Sequence, residues 1–435
     1  MFARKGQLTC FSVIIAFFLI AMAALSLTFG FSLLETENFE SFVESDHGGF
    51  FVCDDPYKRN GYLYLPKNYH YLSWIPFYDD FFNSDDPLGA VYPHDTKQRV
   101  DIASKRLESQ FLADAPHMWM SDLVEYVELK NIQDISPQNQ TKLRHAEKRI
   151  SFLNGKRVLM IADSVDRYIL QYFCSELGLE ADFGNKRHTI ANCFVPQLNF
   201  TIYHWHLASY FSYRPSWWWQ KTMDKVAFEE RYETIFKPTL SKVEGATGKP
   251  DVILFQSGLW DQVSFLKMAD AELASNKKLQ AELKTINRQM TWSEIRLYSS
   301  RWKQFIHHIR GIFGDDVHLV YRSLTPHKES DDRDLMIYDM DRIGRYFSNK
   351  MGIEVFEWAR LVTGFSSMWR DQVHISQGPL SWLYQNMLLS LVFRAAGGVE
   401  VQGNITRWPS EFQQRHHGID PWFECHQNYV QNILR

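Results

Sequence analysis

Cysteine is scarce, with five residues in a chain of 435. A small secreted disulfide scaffold needs far denser cysteine, so that class is excluded. An excess of basic charge is also missing. Lys plus Arg number 47 against 51 Asp plus Glu, a formal net charge of −4. No cationic footprint for nucleic acid follows from that balance. Internal repeats and low-complexity tracts are absent. Hydrophobic residues make up 45% and charged residues 23%, which excludes a mostly disordered or collagen-like chain. The length suits one large domain or two ordinary ones. What is plentiful is aromatic: 15% of residues, with 14 Trp.

Only one apolar run reaches spanning length. Leu8–Leu34 is 27 residues without a charge, more than the roughly 20 needed to cross a bilayer core. Arg4 and Lys5 precede it, and Glu35, Glu37, Glu40 and Glu44 follow. The Lys/Arg bias puts the short N-terminus in the cytosol. The expected topology is type II and single-pass, in the secretory pathway: a cytosolic tail (1–7), a signal-anchor (8–34) and an acidic stem (35–50), with the rest luminal. A cleaved signal peptide is the alternative, since Ala21-Met22-Ala23-Ala24 offers small residues, although an ordinary h-region is only about 7–15 residues long.

Asn139-Gln-Thr, Asn199-Phe-Thr and Asn404-Ile-Thr are glycosylation sequons and agree with that compartment. Outside the span, Cys53, Cys174, Cys193 and Cys425 form an even set that permits two disulfides. The expected pairs are Cys174–Cys193 as a short loop and Cys53–Cys425 as a terminus-to-terminus staple; four buried free thiols are the alternative.

Residues 51–150 read as an irregular N-terminal extension packed on the main domain, with one helical stretch at 98–112. From residue 151 to 400 the pattern alternates. Arg157–Ala162, Asp251–Gln256, Val317–Arg322 and Ile353–Phe356 read as strands buried on both faces. Arg167–Gly178, Trp292–Phe313, Asp334–Lys350 and Gly378–Arg394 carry helical spacing. This alternation predicts an α/β fold, a three-layer α/β/α sandwich with a central parallel sheet. Two insertions are expected in it, an aromatic one near 203–249 and a charged helical one near 267–288, and a C-terminal extension (401–435) follows.

Three short blocks fall after predicted strands, where open α/β sheets bind ligands. Ala162-Asp163-Ser164 puts a hydroxyl and a helix N-terminal amide together, as a nucleophile with an oxyanion donor requires. The plainer reading is a helix N-cap. Ser257-Gly258-Leu259-Trp260-Asp261 follows the second strand; its glycine lets a backbone N–H approach a reacting oxygen, or it is an ordinary turn. Asp371-Gln372-Val373-His374 precedes the last helix. There one carboxylate reaches the imidazole from the same turn and orients it as a base; a capping Asp beside a surface His is the alternative.

Taken in order, Ser, then Gly, then Asp-x-x-His, these blocks resemble the SGNH/GDSL hydrolase superfamily. The resemblance is closer to its PC-esterase branch, which includes the plant trichome-birefringence-like polysaccharide O-acetyltransferases. That branch shows Gly-Asp-Ser-x-x-Arg where this chain has Ala162-Asp163-Ser164-Val165-Asp166-Arg167. Its middle block ends in Gly-x-Trp, here Gly258-Leu259-Trp260, and its Asp-x-x-His precedes a Trp-bearing helix, here with Trp382. The likeness spans roughly Gly155 to Ala396 and lies in local motifs only. Two departures stand out: Ala162 replaces the first glycine, where a left-handed backbone would be disfavoured, and Trp260 stands where the superfamily has Asn.

The resemblance implies a serine-dependent O-acyltransferase or esterase in the Golgi lumen. Ser164 would be the nucleophile, His374 the base, Asp371 its orienting partner, and the Ser164 and Gly258 amides the oxyanion donors. Arg167 would place a cation near the acyl carbonyl or acceptor, unless it serves a structural salt bridge. An acetyl donor and a glycan or polysaccharide acceptor are expected, with no bound cofactor and no nucleic acid. A deacylating esterase and an inactive glycan-binding protein are the alternatives, and the oligomeric state stays open.

The stretch Tyr203–Trp219 is dense in aromatics. Most should pack the insertion onto the core, leaving Trp217, Trp218 and Trp219 as a platform for sugar rings. His204-x-His206, His307-His308 and His416-His417 lack a completing Asp, Glu or Cys at ligand spacing, so no metal is expected.

Overall fold

Apolar runs and helical periodicity set the architecture. The computed structural model describes residues 55–58, 60–76, 116–183, 188–210, 227–240, 248–272, 275–283, 288–328, 334–396, 398–401 and 404–407. The expected anchor and stem, the helix at 98–112, Cys53, Cys425, Trp217, Trp218 and Trp219 lie outside them. Among the described residues no helix is long and apolar enough to cross a membrane.

A hairpin of β1 (Gly61–Tyr64) and β2 (Ser73–Pro76) comes first. Two helices follow, α1 (Trp119–Lys130) and α2 (Pro137–Ile150). They correct the expectation of an irregular segment. In α1, Trp119, Met120, Leu123, Tyr126 and Val127 make one buried stripe at helical spacing. In α2, Ser136 caps the Asn139 amide and Pro137 occupies the first turn, as helix starts favour. The extension is tied to the main domain where Met120 N–H donates to Asn386 Oδ1 at 2.9 Å.

The central sheet has six strands: β3 (Arg157–Ala162), β4 (Ile190–Val195), β5 (Phe200–His206), β6 (Val252–Phe255), β7 (His318–Arg322) and β8 (Glu354–Phe356), in the order β4-β5-β3-β6-β7-β8. Five are parallel, while β4 runs antiparallel to β5. A wholly parallel sheet was expected, and the edge departs from it. Residues 196–199 close β4 onto β5 in one tight turn, with Asn199 left-handed at φ 47°. So short a link has no room for a crossover, so the pair must be antiparallel. The insertion expected from Tyr203 also begins later. Residues 200–206 form β5, and Tyr203 and Trp205 are core residues.

Helices cover both faces. Val158 and Met160 of β3 point into one core, shared with α1, α3 (Ser164–Glu176) and α9 (Pro379–Ala395). Leu159 and Ile161 point into the other, shared with α6 (Trp292–Phe313) and α7 (Leu335–Lys350). Between these lie α4 (Leu259–Glu272), α5 (Lys277–Leu283) and the short α8 (Trp358–Val362). Helix α9 is buried without a break from Leu380 to Arg394. That explains why its sequence is apolar all round rather than striped. A disulfide joins Cys174 of α3 to Cys193 of β4. The strands β9 (Gly398–Val401) and β10 (Asn404–Arg407) form a terminal hairpin that carries Asn404. Asn139 is half-buried in the first turn of α2, and Asn199 is exposed at the β4–β5 turn.

Candidate active site

Ser164 opens α3 directly after β3. Asp163 caps the helix by accepting the Val165 N–H, which leaves Ser164 at its first turn. The apolar strand is locked in the sheet, so this turn stands at the carboxyl edge. His204 of β5 fixes it from below: its Nε2–H donates to the Asp163 carbonyl at 2.9 Å. Burial, then the neighbouring Arg167 charge, pushes His204 down to about 3, so its ring is neutral. Ala162 is buried, extended strand backbone. Among the described residues only Asn199 is a non-glycine with positive φ. The left-handed strain expected from alanine at 162 is therefore absent.

The partner arrives from 210 residues away. Ser164 Oγ lies 2.8 Å from His374 Nε2. His374 Nδ1 lies 2.9 Å from both carboxylate oxygens of Asp371. The same Asp371 Oδ1 accepts the backbone N–H groups of Val373 and His374. Arg370 N–H donates back to the His374 carbonyl at 2.8 Å, closing the turn. Burial acts to raise the Asp371 pKa, but the two amides and the imidazole outweigh it and hold the carboxyl below its ordinary value. An ionised Asp371 fixes Nδ1 as the protonated nitrogen and leaves Nε2 to accept the Ser164 hydroxyl proton. Tyr168 buttresses the ring edge-on at 4.8 Å.

Gly258 follows β6 at the same sheet edge. A Cβ there would sit 2.8 Å from Leu324 Cδ1, so any other residue must displace that side chain. Ser257 is pinned on both sides of its backbone: Tyr298 Oη donates to its carbonyl at 2.7 Å, and its hydroxyl donates to Asp261. Asp261 also accepts from Ser209 Oγ and the Tyr210 N–H. Burial first, with Asp163 adding, lifts Asp261 to about 7 against these donors.

The other residues singled out in the sequence fall into two groups. Arg167 is buried one turn below Ser164, its guanidinium 5.3 Å from the Tyr168 ring centre. Trp260 is half-buried in the first turn of α4, its ring 6.4 Å from that of His206. The structure thus brings Ser164, His374 and Asp371 into one hydrogen-bonded chain and sets Gly258 at the same edge.

A buried polar layer beneath the site escaped the sequence reading. Asp166 Oδ2 takes Arg322 at 2.7 Å and Gln256 at 3.1 Å, and its Oδ1 takes the Tyr384 hydroxyl at 2.5 Å. Arg322 also donates to Thr325 Oγ1 at 2.8 Å. The layer ties α3, β6, β7 and α9 together under the Ser164 turn. Its signal was present: Asp166 lies on the face of α3 that holds Val165, Ile169 and Phe173, and Arg322 ends an apolar strand. A charge on a buried face demands a partner.

No known family profile matches this chain, and no curated protein or solved structure matches it either. The site is therefore read from its own geometry.

Proposed function

We propose that this chain is a membrane-anchored, luminal acyltransferase that moves an acyl group, expected to be acetyl, onto hydroxyls of a glycan. The observation that carries the reading is the continuous chain Ser164–His374–Asp371, with a 2.8 Å nucleophile-to-base contact and 2.9 Å base-to-carboxylate contacts. Three residue types in triad order, from two distant segments, at the carboxyl edge of an α/β sheet, are what nucleophilic acyl chemistry requires. The order of the blocks supports a kinship with the SGNH superfamily and its PC-esterase branch, and the 8–34 run supports a type II anchor.

In the proposed cycle Ser164 Oγ attacks the donor's acyl carbon while His374 Nε2 takes its proton and passes it to the leaving group. The oxyanion is held by the Ser164 and Gly258 amides. An acceptor hydroxyl then attacks the acyl carbon, its proton goes to His374, and the acyl–Oγ bond breaks. The proton returns to Ser164.

Hydrolysis is the second reading, favoured by one observation. The Asp371 side chain is 48% exposed and that of His374 16%, so water reaches the outer side of the triad unless an acceptor displaces it. A non-catalytic glycan binder rested on the Ala162 departure, and extended backbone at that position makes alanine compatible with activity.

The deciding experiment labels the purified luminal region, 35–435, with a fluorophosphonate and maps the labelled peptide. Labelling at Ser164 that is lost in His374→Ala is the expected result. A Ser164→Ala variant with undiminished acyl turnover would sink the assignment.

A further inference from the structure

A second His–Asp dyad stands beside the triad. His327 Nδ1 lies 2.6 Å from Asp334 Oδ1, and the same oxygen accepts the His327 backbone N–H at 3.0 Å. This is the construction already seen at His374, where one carboxylate oxygen holds both the backbone N–H and ring Nδ1 of its histidine. In both, the carboxylate fixes the tautomer and turns Nε2 outward as an acceptor. At His374 that acceptor is met by Ser164. At His327 no described residue meets it, and the ring is reachable: the His327 side chain is 15% exposed, while Asp334 is fully buried. Asp334 Oδ2 is buried and has no partner among the described residues, so the carboxylate is committed to the histidine.

Its position ties it to the site. His327 lies on the loop that leaves the carboxyl end of β7. That loop touches both halves of the candidate centre. Leu324 is the side chain packed against Gly258. Lys328 N–H donates to the carbonyl of Gln372, inside the Asp371–His374 turn, at 2.8 Å. From standard backbone dimensions, the two histidine Cα atoms are then no more than about 15 Å apart. The first residues of the loop are hydrogen-bonded to the core: Ser323 N–H bonds the Phe356 carbonyl and Leu324 N–H bonds Asp341 Oδ1.

We infer that the His327–Asp334 dyad is the acceptor subsite of the proposed transferase, holding one hydroxyl of a polyol while another attacks the acyl–Ser164 ester. The inference rests on the acyl-transfer reading above. The chemistry follows from the groups. With Nδ1 held against Asp334, the unprotonated form of Nε2 presents one acceptor lone pair, and its complement is an O–H donor. Two such acceptors on loops joined by the Lys328–Gln372 hydrogen bond, His374 and His327, suit a molecule with several hydroxyls better than water or a simple alcohol. No covalent step is assigned to His327. Its hydrogen bond orients the acceptor, and the proton in transfer still goes to His374.

The test uses the detergent-solubilised full chain with 4-nitrophenyl acetate as donor and methyl glucoside as acceptor. It measures nitrophenolate release and acetylated glucoside side by side. His327→Ala should raise the KM for methyl glucoside at least tenfold, with a much smaller fall in nitrophenolate release. Should Ala fail to fold by circular dichroism, the double variant His327→Phe with Asp334→Asn keeps the ring volume and removes the buried charge along with the ring nitrogens. Proportional losses in both readouts would mean a merely structural role and overturn the inference, as would an unchanged acceptor KM. If Ser164→Ala releases nitrophenolate as fast as wild type, the acyl-transfer reading fails first, and that outcome is distinct from an intact triad indifferent to His327.

Discussion

At the residue scale the triad makes the sharpest demand. Ser164→Ala, His374→Ala and Asp371→Asn each interrupt one chain of hydrogen bonds, so their effects should not add. Each single variant is expected to lose at least about a hundredfold in acyl turnover, and the triple variant little more, since members of one catalytic unit fail together. Steady-state rates on 4-nitrophenyl acetate check this, and additive losses would show three independent roles. Asp261 makes a different prediction, about stability. Its pKa is about 7 in the fold but near the ordinary carboxylate value, about 4, in the unfolded chain. Between those values the folded protein holds a proton that the unfolded chain has released. The contribution of this group is therefore fully present at acid pH and is lost as pH rises towards 7, by roughly 1 kcal/mol per pH unit. Denaturation midpoints measured from pH 4.5 to 7.5 should fall more steeply in wild type than in Asp261→Asn; equal slopes would place the proton elsewhere.

The elements explain why the residues meet. Gly258 and Leu324 couple β6 to β7 through a contact too close for a Cβ. Gly258→Ala forces that packing apart, at a cost of about 1–3 kcal/mol, and should slow fluorophosphonate labelling of Ser164 about tenfold by shifting the amide proposed to hold the oxyanion. Adding Leu324→Ala makes room and should restore part of the rate. A double variant no faster than Gly258→Ala would deny the clash its role. The disulfide is a second coupling, between α3 and β4. It closes a loop of 19 residues' separation, which in the chain-entropy account stabilises by about 3 kcal/mol. Cys174→Ser with Cys193→Ser should lower the denaturation free energy by about that amount while leaving α3 formed.

These same elements show what the sequence made legible. β3 and α6 match their predicted spans to the residue, because one is an uninterrupted apolar run and the other carries long helical periodicity. Ser164 was readable because its motif sits immediately after such a strand, and Asp371 and His374 because theirs stands just before the long apolar α9. β5 was hidden. Its residues Phe200–His206 alternate aromatic, polar and histidine side chains, and that composition reads as an insertion unless one knows that His204 bonds the Asp163 carbonyl. β4 was hidden for a related reason, since only the tight turn at Asn199 shows that it returns antiparallel. The His327–Asp334 dyad carries no fixed spacing at all: the pair is made by the β7 loop folding back onto the start of α7, a contact no local pattern encodes.

On the scale of the whole molecule, the described residues hold one six-stranded sheet with helices on both faces and two separate hairpins, and Ser164 stands at the carboxyl edge of the six-stranded sheet. Whether that edge faces a lumen depends on the 8–34 run, which lies outside them. The sequons turn this into a measurable question. Asn199 is exposed on a left-handed turn, yet Thr201 of the same sequon is fully buried in β5. Glycan addition there must precede closure of the β4–β5 pair, so it can happen only if the chain enters the lumen unfolded during synthesis. Translation with microsomes should therefore give a product carrying an endoglycosidase-sensitive glycan at Asn199, lost in Asn199→Gln, and protected from added protease except for the short N-terminal tail. The same product should pellet with the membranes after carbonate extraction, because an uncleaved apolar run remains embedded. Release of the glycosylated product into the carbonate supernatant would mean that the segment is cleaved and that the chain becomes a free luminal or secreted protein. An unglycosylated, protease-sensitive product would place the serine in the cytosol and remove the glycan acceptor from its reach.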